Sequence, residues 1–185
     1  MATTNLRPHL WTRNEYDRII EAGILHPELR LELVEGEILT MSPQGSRHIT
    51  AIRLVETALQ VAFSTGYDVR TQAPLALDER SEPEPDVAVV TGSMRDYRDA
   101  HPATAVLVVE IADSTLSFDR GRKKALYACA GIAEYWILNL DDSQLEVSRH
   151  AQGTSYAEQQ TVSPGNRIAP LAHSDSPIAV DDLLP

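Results

Sequence analysis

The sequence predicts an α/β fold, with a mixed central β-sheet carrying helices on both faces. Three observations point there. Apolar residues recur near helical spacing over residues 46–64, between segments that read as short strands. Residues 105–109 are apolar without interruption, the pattern of a strand covered on both faces and placed mid-sheet. A strand, a helix over 119–130 and another strand over 134–140 follow in order, which implies a right-handed parallel crossover.

The elements follow from local signals. Residues 12–22 predict a helix, with Thr12 as N-cap, Glu15 three residues on, and Gly23 as the stop. Residues 30–34 and 37–41 predict two short strands joined by a Glu35–Gly36 turn. Ser42 to Gly45 breaks the pattern. The long helix then presents Ile49, Ile52, Val55, Leu59 and Ala62 or Phe63, and Gly66 closes it. Residues 67–77 predict a strand interrupted at Pro74, followed by an acidic turn over 78–84. Strands over 86–90 and 106–110 flank a loop or short helix at 91–104. The next helix takes Ser117 or Asp119 as its cap and stops at Gly131. Strands over 144–150 and about 155–162 turn at Gly153, and a further turn falls at 164–166. The tail carries weak signals. The chain divides into an N-terminal helix and hairpin (10–43), a core (46–150) and a C-terminal hairpin and tail (151–185), expected to form a single domain.

Composition narrows the function classes. The chain of 185 residues is 43% hydrophobic and 23% charged, ordinary for a soluble protein with a buried core. No apolar run approaches the length that spans a bilayer, and the first eight residues lack the apolar stretch of a secretion signal. One cysteine, Cys129, excludes an internal disulfide and a cysteine-built zinc site; it is expected buried and inert. A cytoplasmic protein is the expectation. Sixteen Lys and Arg against 27 Asp and Glu give −11. That balance opposes tight non-specific nucleic-acid binding by a monomer. Arg120, Arg122, Lys123 and Lys124 form the one dense basic cluster, able to grip a phosphate locally.

Two carboxylates carry the chemistry. Pairing 86–90 antiparallel to 106–110, with 90 opposite 106, sets Asp86 opposite Glu110 at one end of an apolar sheet. Two charges about 5 Å apart at an effective dielectric near 20 repel by roughly 3 kcal/mol. A divalent cation or a nearby lysine offsets that repulsion. Alone, Asp86 also reads as a turn cap and Glu110 as half of a structural salt bridge. Lys123 shares a helix face with Tyr127 and lies one turn after Asp119, whereas Lys124 points about 100° away. The carboxylates, with a main-chain carbonyl such as that of Ile111, suit Mg2+ or Mn2+. Such an ion activates water while the lysine stabilises phosphate charge, without a covalent intermediate. Glu32 or Glu35 could approach the ion, although hairpin solubility explains Glu35 as well. His48 could line the cleft, or serve as a polar helix-start residue. His9, His26, His101, His150 and His173 show no zinc spacing. Tyr135 and Trp136 are expected in the core.

Pro85-Asp86, Glu110 and a following lysine resemble the PD-(D/E)XK nuclease superfamily. The wider string is Glu-Ile-Ala-Asp-Ser-Thr (110–115), Phe-Asp-Arg-Gly (118–121), Lys123, Leu-Tyr (126–127), Ala-Gly-Ile (130–132) and Glu-Tyr-Trp (134–136). With Leu-Glu-Leu-Val-Glu-Gly-Glu-Ile (31–38), Met-Ser-Pro (41–43) and His48, it resembles the Uma-type, restriction-endonuclease-like family over roughly 10–150. The resemblance implies a restriction-endonuclease-like αβββαβ core, a divalent metal and nuclease-type chemistry; an endonuclease acting on DNA is the expectation, with RNA as the alternative substrate. The superfamily's usual lysine lies two residues past the glutamate, where this chain has Ala112; Lys123 on the next helix takes its place. A homodimer is the expected assembly. The rival expectations are a catalytically degenerate nucleic-acid-binding or regulatory protein keeping the fold, and a purely structural oligomer component.

Overall fold

The computed structural model describes residues 7–26 and 28–185. The segment read for a secretion signal therefore lies largely outside the described residues. Helix α1 (Arg13–Glu21) opens with a reciprocal cap: the Glu15 N–H donates to Thr12 Oγ1 at 3.3 Å and the Thr12 N–H to Glu15 Oε2 at 2.8 Å. Strands β1 (Leu31–Val34) and β2 (Glu37–Thr40) form a separate hairpin. Its turn residues Glu35 and Gly36 both adopt positive φ, 51° and 84°, as a two-residue turn between twisted strands requires.

Helix α2 (Ser46–Ala62) buries Ala51, Ile52, Val55, Leu59 and Ala62. Ile49, expected on that face, is 46% exposed. At about 100° per residue it falls roughly a third of a turn off the stripe centred on Val55, and His48 lies on that stripe instead. Strand β3 (Tyr67–Thr71) stops well short of residue 77. Gln72 turns left-handed (φ 48°), and the chain leaves the ladder for a loop. That loop holds the hairpin through the Gly36 N–H to Arg80 O (2.7 Å) and the Glu82 N–H to Leu33 O (2.7 Å).

Strands β4 (Val87–Thr91) and β5 (Leu107–Ala112) pair antiparallel, Val87 against Val109 and Val89 against Leu107, the register anticipated above. Strand β5 is buried throughout and pairs parallel with β6 (Glu134–Asn139). The connection is helical but interrupted: α3 (Leu116–Phe118), a π-helical turn (Asp119–Lys123), then α4 (Lys124–Cys129). The helix thus starts earlier than expected, with Thr115 at the N-cap position, and its π turn was not foreseen. Strands β7 (Gln144–Gln152) and β8 (Ser155–Val162) complete a six-stranded sheet in the order β3-β4-β5-β6-β7-β8.

One sheet face packs Val87, Val89, Val109 and Trp136 under α2. The other packs Ala88, Val108, Tyr135 and Ile137 under Tyr127 and Ala128 of α4. Burial of these apolar faces, worth about 25 cal/mol per Å², is what holds the layers together. The tail is more ordered than its sequence suggested. Strands β9 (Arg167–Ile168) and β10 (Ile178–Ala179) pair, and Ile178, Val180 and Leu183 extend the α2-side core. Tyr135 and Trp136 are fully buried, as expected, but Cys129 is exposed, because it ends α4 on the solvent side. Among the described residues no helix is long and apolar enough to cross a membrane.

Candidate active site

Strands β4 and β5 run in opposite directions, so the start of one and the end of the other share a sheet end. Asp86 and Glu110 stand there, 4% and 2% exposed. The Asp86 N–H reaches Glu110 Oε2 at 3.3 Å, and the Ile111 N–H donates to Asp86 Oδ2 at 2.9 Å. The remaining Asp86 oxygen, Oδ1, lies 3.1 Å from His48 Nε2 and accepts from Gln44 Nε2 at 3.4 Å. Both carboxylates border a cavity of about 720 Å³, enclosed by the β2 end, the 42–45 turn and the 113–119 segment.

Lys123, 3% exposed, extends from the π turn between two acids: its Nζ lies 3.0 Å from Glu110 Oε1 and 3.1 Å from Glu32 Oε2. Tyr127 donates to the same Glu110 oxygen at 2.7 Å. Residues 119, 123 and 127 follow one another around the helical segment, so Asp119 also faces the cavity, its carboxylate held by the Thr115 hydroxyl at 2.6 Å. A π turn widens one turn of helix locally, a distortion that recurs at functional positions.

Charge is unbalanced here. Glu32, Asp86, Glu110 and Asp119 are all buried around the single ammonium of Lys123. Burial pushes the Glu110 carboxyl up to about 8, with Asp86, Asp119 and Glu32 adding to the rise and Lys123 opposing it. Burial likewise lifts Asp119 to about 6, against the pull of the Thr115 hydroxyl and Lys123. Burial disfavours the Lys123 charge, but Glu110, Glu32 and Asp119 outweigh it and hold the ammonium above its ordinary value. The cluster therefore favours an added positive charge.

Several candidates come together here: Asp86, Glu110, Lys123, Ile111, Glu32, His48, Asp119 and Tyr127 all meet at or beside the cavity. Lys124 does not; its Nζ donates to Gln159 at 2.5 Å on β8. The basic cluster also disperses, because successive helical residues point different ways. Arg120 pairs with Glu146 (2.6 Å), and Arg122 pairs with Glu35 (2.8 Å) and Glu37. Glu35 thus serves the hairpin, away from the acids. Gln44, Thr115 and Glu84 were missed. Glu84 offers its N–H to Glu32 Oε2 at 3.3 Å. Gln44 lies four residues before His48 and Thr115 four before Asp119, a spacing that could have found both.

The sheet order, the crossover helix and the buried acids at one sheet end define the class: a mixed α/β protein with a nuclease fold. A crystal structure described as that of a putative nuclease belonging to DUF820 from Anabaena variabilis ATCC 29413 superposes with a TM-score of 0.73. It is 14% identical and covers 93% of this chain and 96% of that one, which shows the shared fold. The family model Uma2, described as "Putative restriction endonuclease", matches residues 13–178, so the chain belongs to the Uma2 family. No curated protein shows significant similarity to it.

Proposed function

We propose that the protein is a divalent-cation-dependent endonuclease that hydrolyses phosphodiester bonds, with DNA as its substrate. The observation that carries this reading is Asp86 and Glu110 side by side at one cavity wall, with Lys123 3.0 Å from Glu110. Membership of a restriction-endonuclease-like family supports it.

The donor set fits Mg2+ or Mn2+. Among the described residues no three His, Cys, Asp or Glu side chains form a ready-made cage. Magnesium seldom uses one; it keeps several waters and takes one or two carboxylates plus substrate phosphate. Asp86, Glu110 and the main-chain carbonyl of Ile111 would hold the ion, which would supply Lewis acidity and a water of lowered pKa. The excess of buried acid in its neighbourhood is the condition that favours such a cation.

The chain's own groups do the rest. Lys123 stays charged across the physiological range, so it acts as a fixed positive charge toward phosphate oxygens and not as a proton carrier. Tyr127 and the Ile111 amide fix the Glu110 and Asp86 rotamers. His48 and Gln44 orient the outer oxygen of Asp86. The wall of the cavity, with Leu39, Met41 and Phe118, limits water around the reacting phosphate.

A second reading, a non-cleaving nucleic-acid-binding or regulatory protein on this fold, is favoured by one observation. The ammonium is clamped between Glu110 and Glu32 and the other helix cations are engaged. Incubation with single- and double-stranded DNA and RNA in Mg2+ or Mn2+ separates the two. Cleavage abolished in Asp86→Ala and Lys123→Ala supports the enzyme. Cation and DNA binding without cleavage by the wild type supports the rival.

A further inference from the structure

Arg30 immediately precedes β1, and its carbonyl accepts the Met41 N–H at 2.9 Å, which carries the hairpin ladder one residue further. Alternate strand residues share a face, so Arg30 projects to the side of Glu32, the residue that clamps Lys123. Arg30 borders the cavity of the acids and also a second cavity between α1 and the 74–84 loop. Its Nη2 is buried and meets no acceptor among the described residues. An orphaned guanidinium nitrogen calls for a partner that the described residues do not provide.

The neighbouring cations are all spoken for. Arg122 holds Glu35, Glu37 and the Val34 carbonyl; Lys123 holds Glu32 and Glu110; Arg13 lies 3.6 Å from Glu82. Arg30 opposes the rise in the Glu84 carboxyl that burial causes, so its charge is felt in this corner without a formed ion pair. A planar guanidinium with free donors suits the paired oxygens of a phosphodiester.

We propose that Arg30 binds a phosphate of the substrate backbone, the one adjacent to the phosphate attacked at Asp86 and Glu110. This rests on the nuclease reading above. The site takes one phosphate and not a tract, because Asp17, Glu21, Glu82, Glu84 and Asp99 line the cavity beyond Arg30 and repel a polyanion. The strand ends or turns at this residue.

The test is binding of a fluorescein-labelled short DNA oligonucleotide by anisotropy across a salt series, with Ca2+ in place of Mg2+ to hold off cleavage. Arg30→Ala is expected to bind at least about tenfold more weakly, with the slope of log K against log salt reduced by about 0.7–0.9, the contribution of one phosphate. Arg30→Lys keeps the slope and regains part of the affinity, because its charge remains without the fork. Lys124→Ala, on the far side of the helix, binds as wild type. If Arg30→Ala fails to fold by circular dichroism, Arg30→Gln is read the same way. Wild-type binding with unchanged affinity and slope in the Arg30 variants overturns the assignment and leaves the nuclease reading standing. Failure of the wild type to bind any oligonucleotide overturns both.

Discussion

Lys123 Nζ lies 3.0 Å from Glu110 Oε1 although thirteen residues separate them in the chain. The strand ends, the chain crosses to the helical layer, and the π turn returns the ammonium to the carboxylate. Removing that ammonium strands several buried acids. Lys123→Met is expected to destabilise the protein by about 3–5 kcal/mol without divalent cation, because the partner charges stay buried. Added Mg2+ is expected to recover part of the loss. Thermal denaturation with and without Mg2+ measures both; a variant as stable as wild type in chelator contradicts the clamp.

Acid excess sets a pH dependence. Glu82, Glu84, Glu110 and Asp119 all sit above their ordinary values, chiefly through burial. Such carboxyls bind a proton more tightly folded than unfolded. Their contribution is fully present below about pH 4 and is lost as pH rises through the folded values, about 6 for Asp119 and about 8 for Glu110. Metal-free protein is expected to melt at a lower temperature at pH 8.5 than at pH 5.5. Glu110→Gln flattens that slope. A melting temperature that climbs over this interval would show the acids to be better compensated than their burial indicates.

Metal affinity reports on the two strands directly. Calorimetric titration with Mn2+ is expected to show binding that Asp86→Asn and Glu110→Gln weaken by more than about 100-fold. His48→Ala weakens it less, by about 10–100-fold, the usual size for a group that orients a ligand. Equal affinity in wild type and Asp86→Asn would move the ion elsewhere.

The hairpin supplies a test of fold alone. Gly36 has φ +84°, and a Cβ there would meet the Leu10 Cβ at 2.7 Å. Gly36→Ala is expected to cost about 1–3 kcal/mol in urea denaturation, from left-handed strain and overpacking together. An unperturbed midpoint would mean that the segment before α1 yields freely.

Much of this was legible in the chain. Alternation and turn residues gave the β1–β2 hairpin, and the apolar run at 105–109 gave the central strand. Two carboxylates at opposite ends of adjacent strands could be matched by counting. His48 could have been read more firmly, since 48, 52, 55 and 59 share one helix stripe, which aims the ring inward beside Asp86. Other features had no local signature. The pairing of Arg120 with Glu146 and Arg122 with Glu37 joins residues distant in sequence. A run of basic letters therefore suggested a patch that three-dimensional neighbours neutralise. The tail was illegible because its two-residue strands are too short to show any period.

Housing the cation on the crossover leaves position 112 without a polar duty. Ala112 closes the inner wall beside Tyr127 and Ala128, 1% exposed. A lysine grafted there would have nowhere to lay its four carbons, so a single substitution could not carry the cation from position 123 to position 112. The overlying helix would have to be hollowed out first.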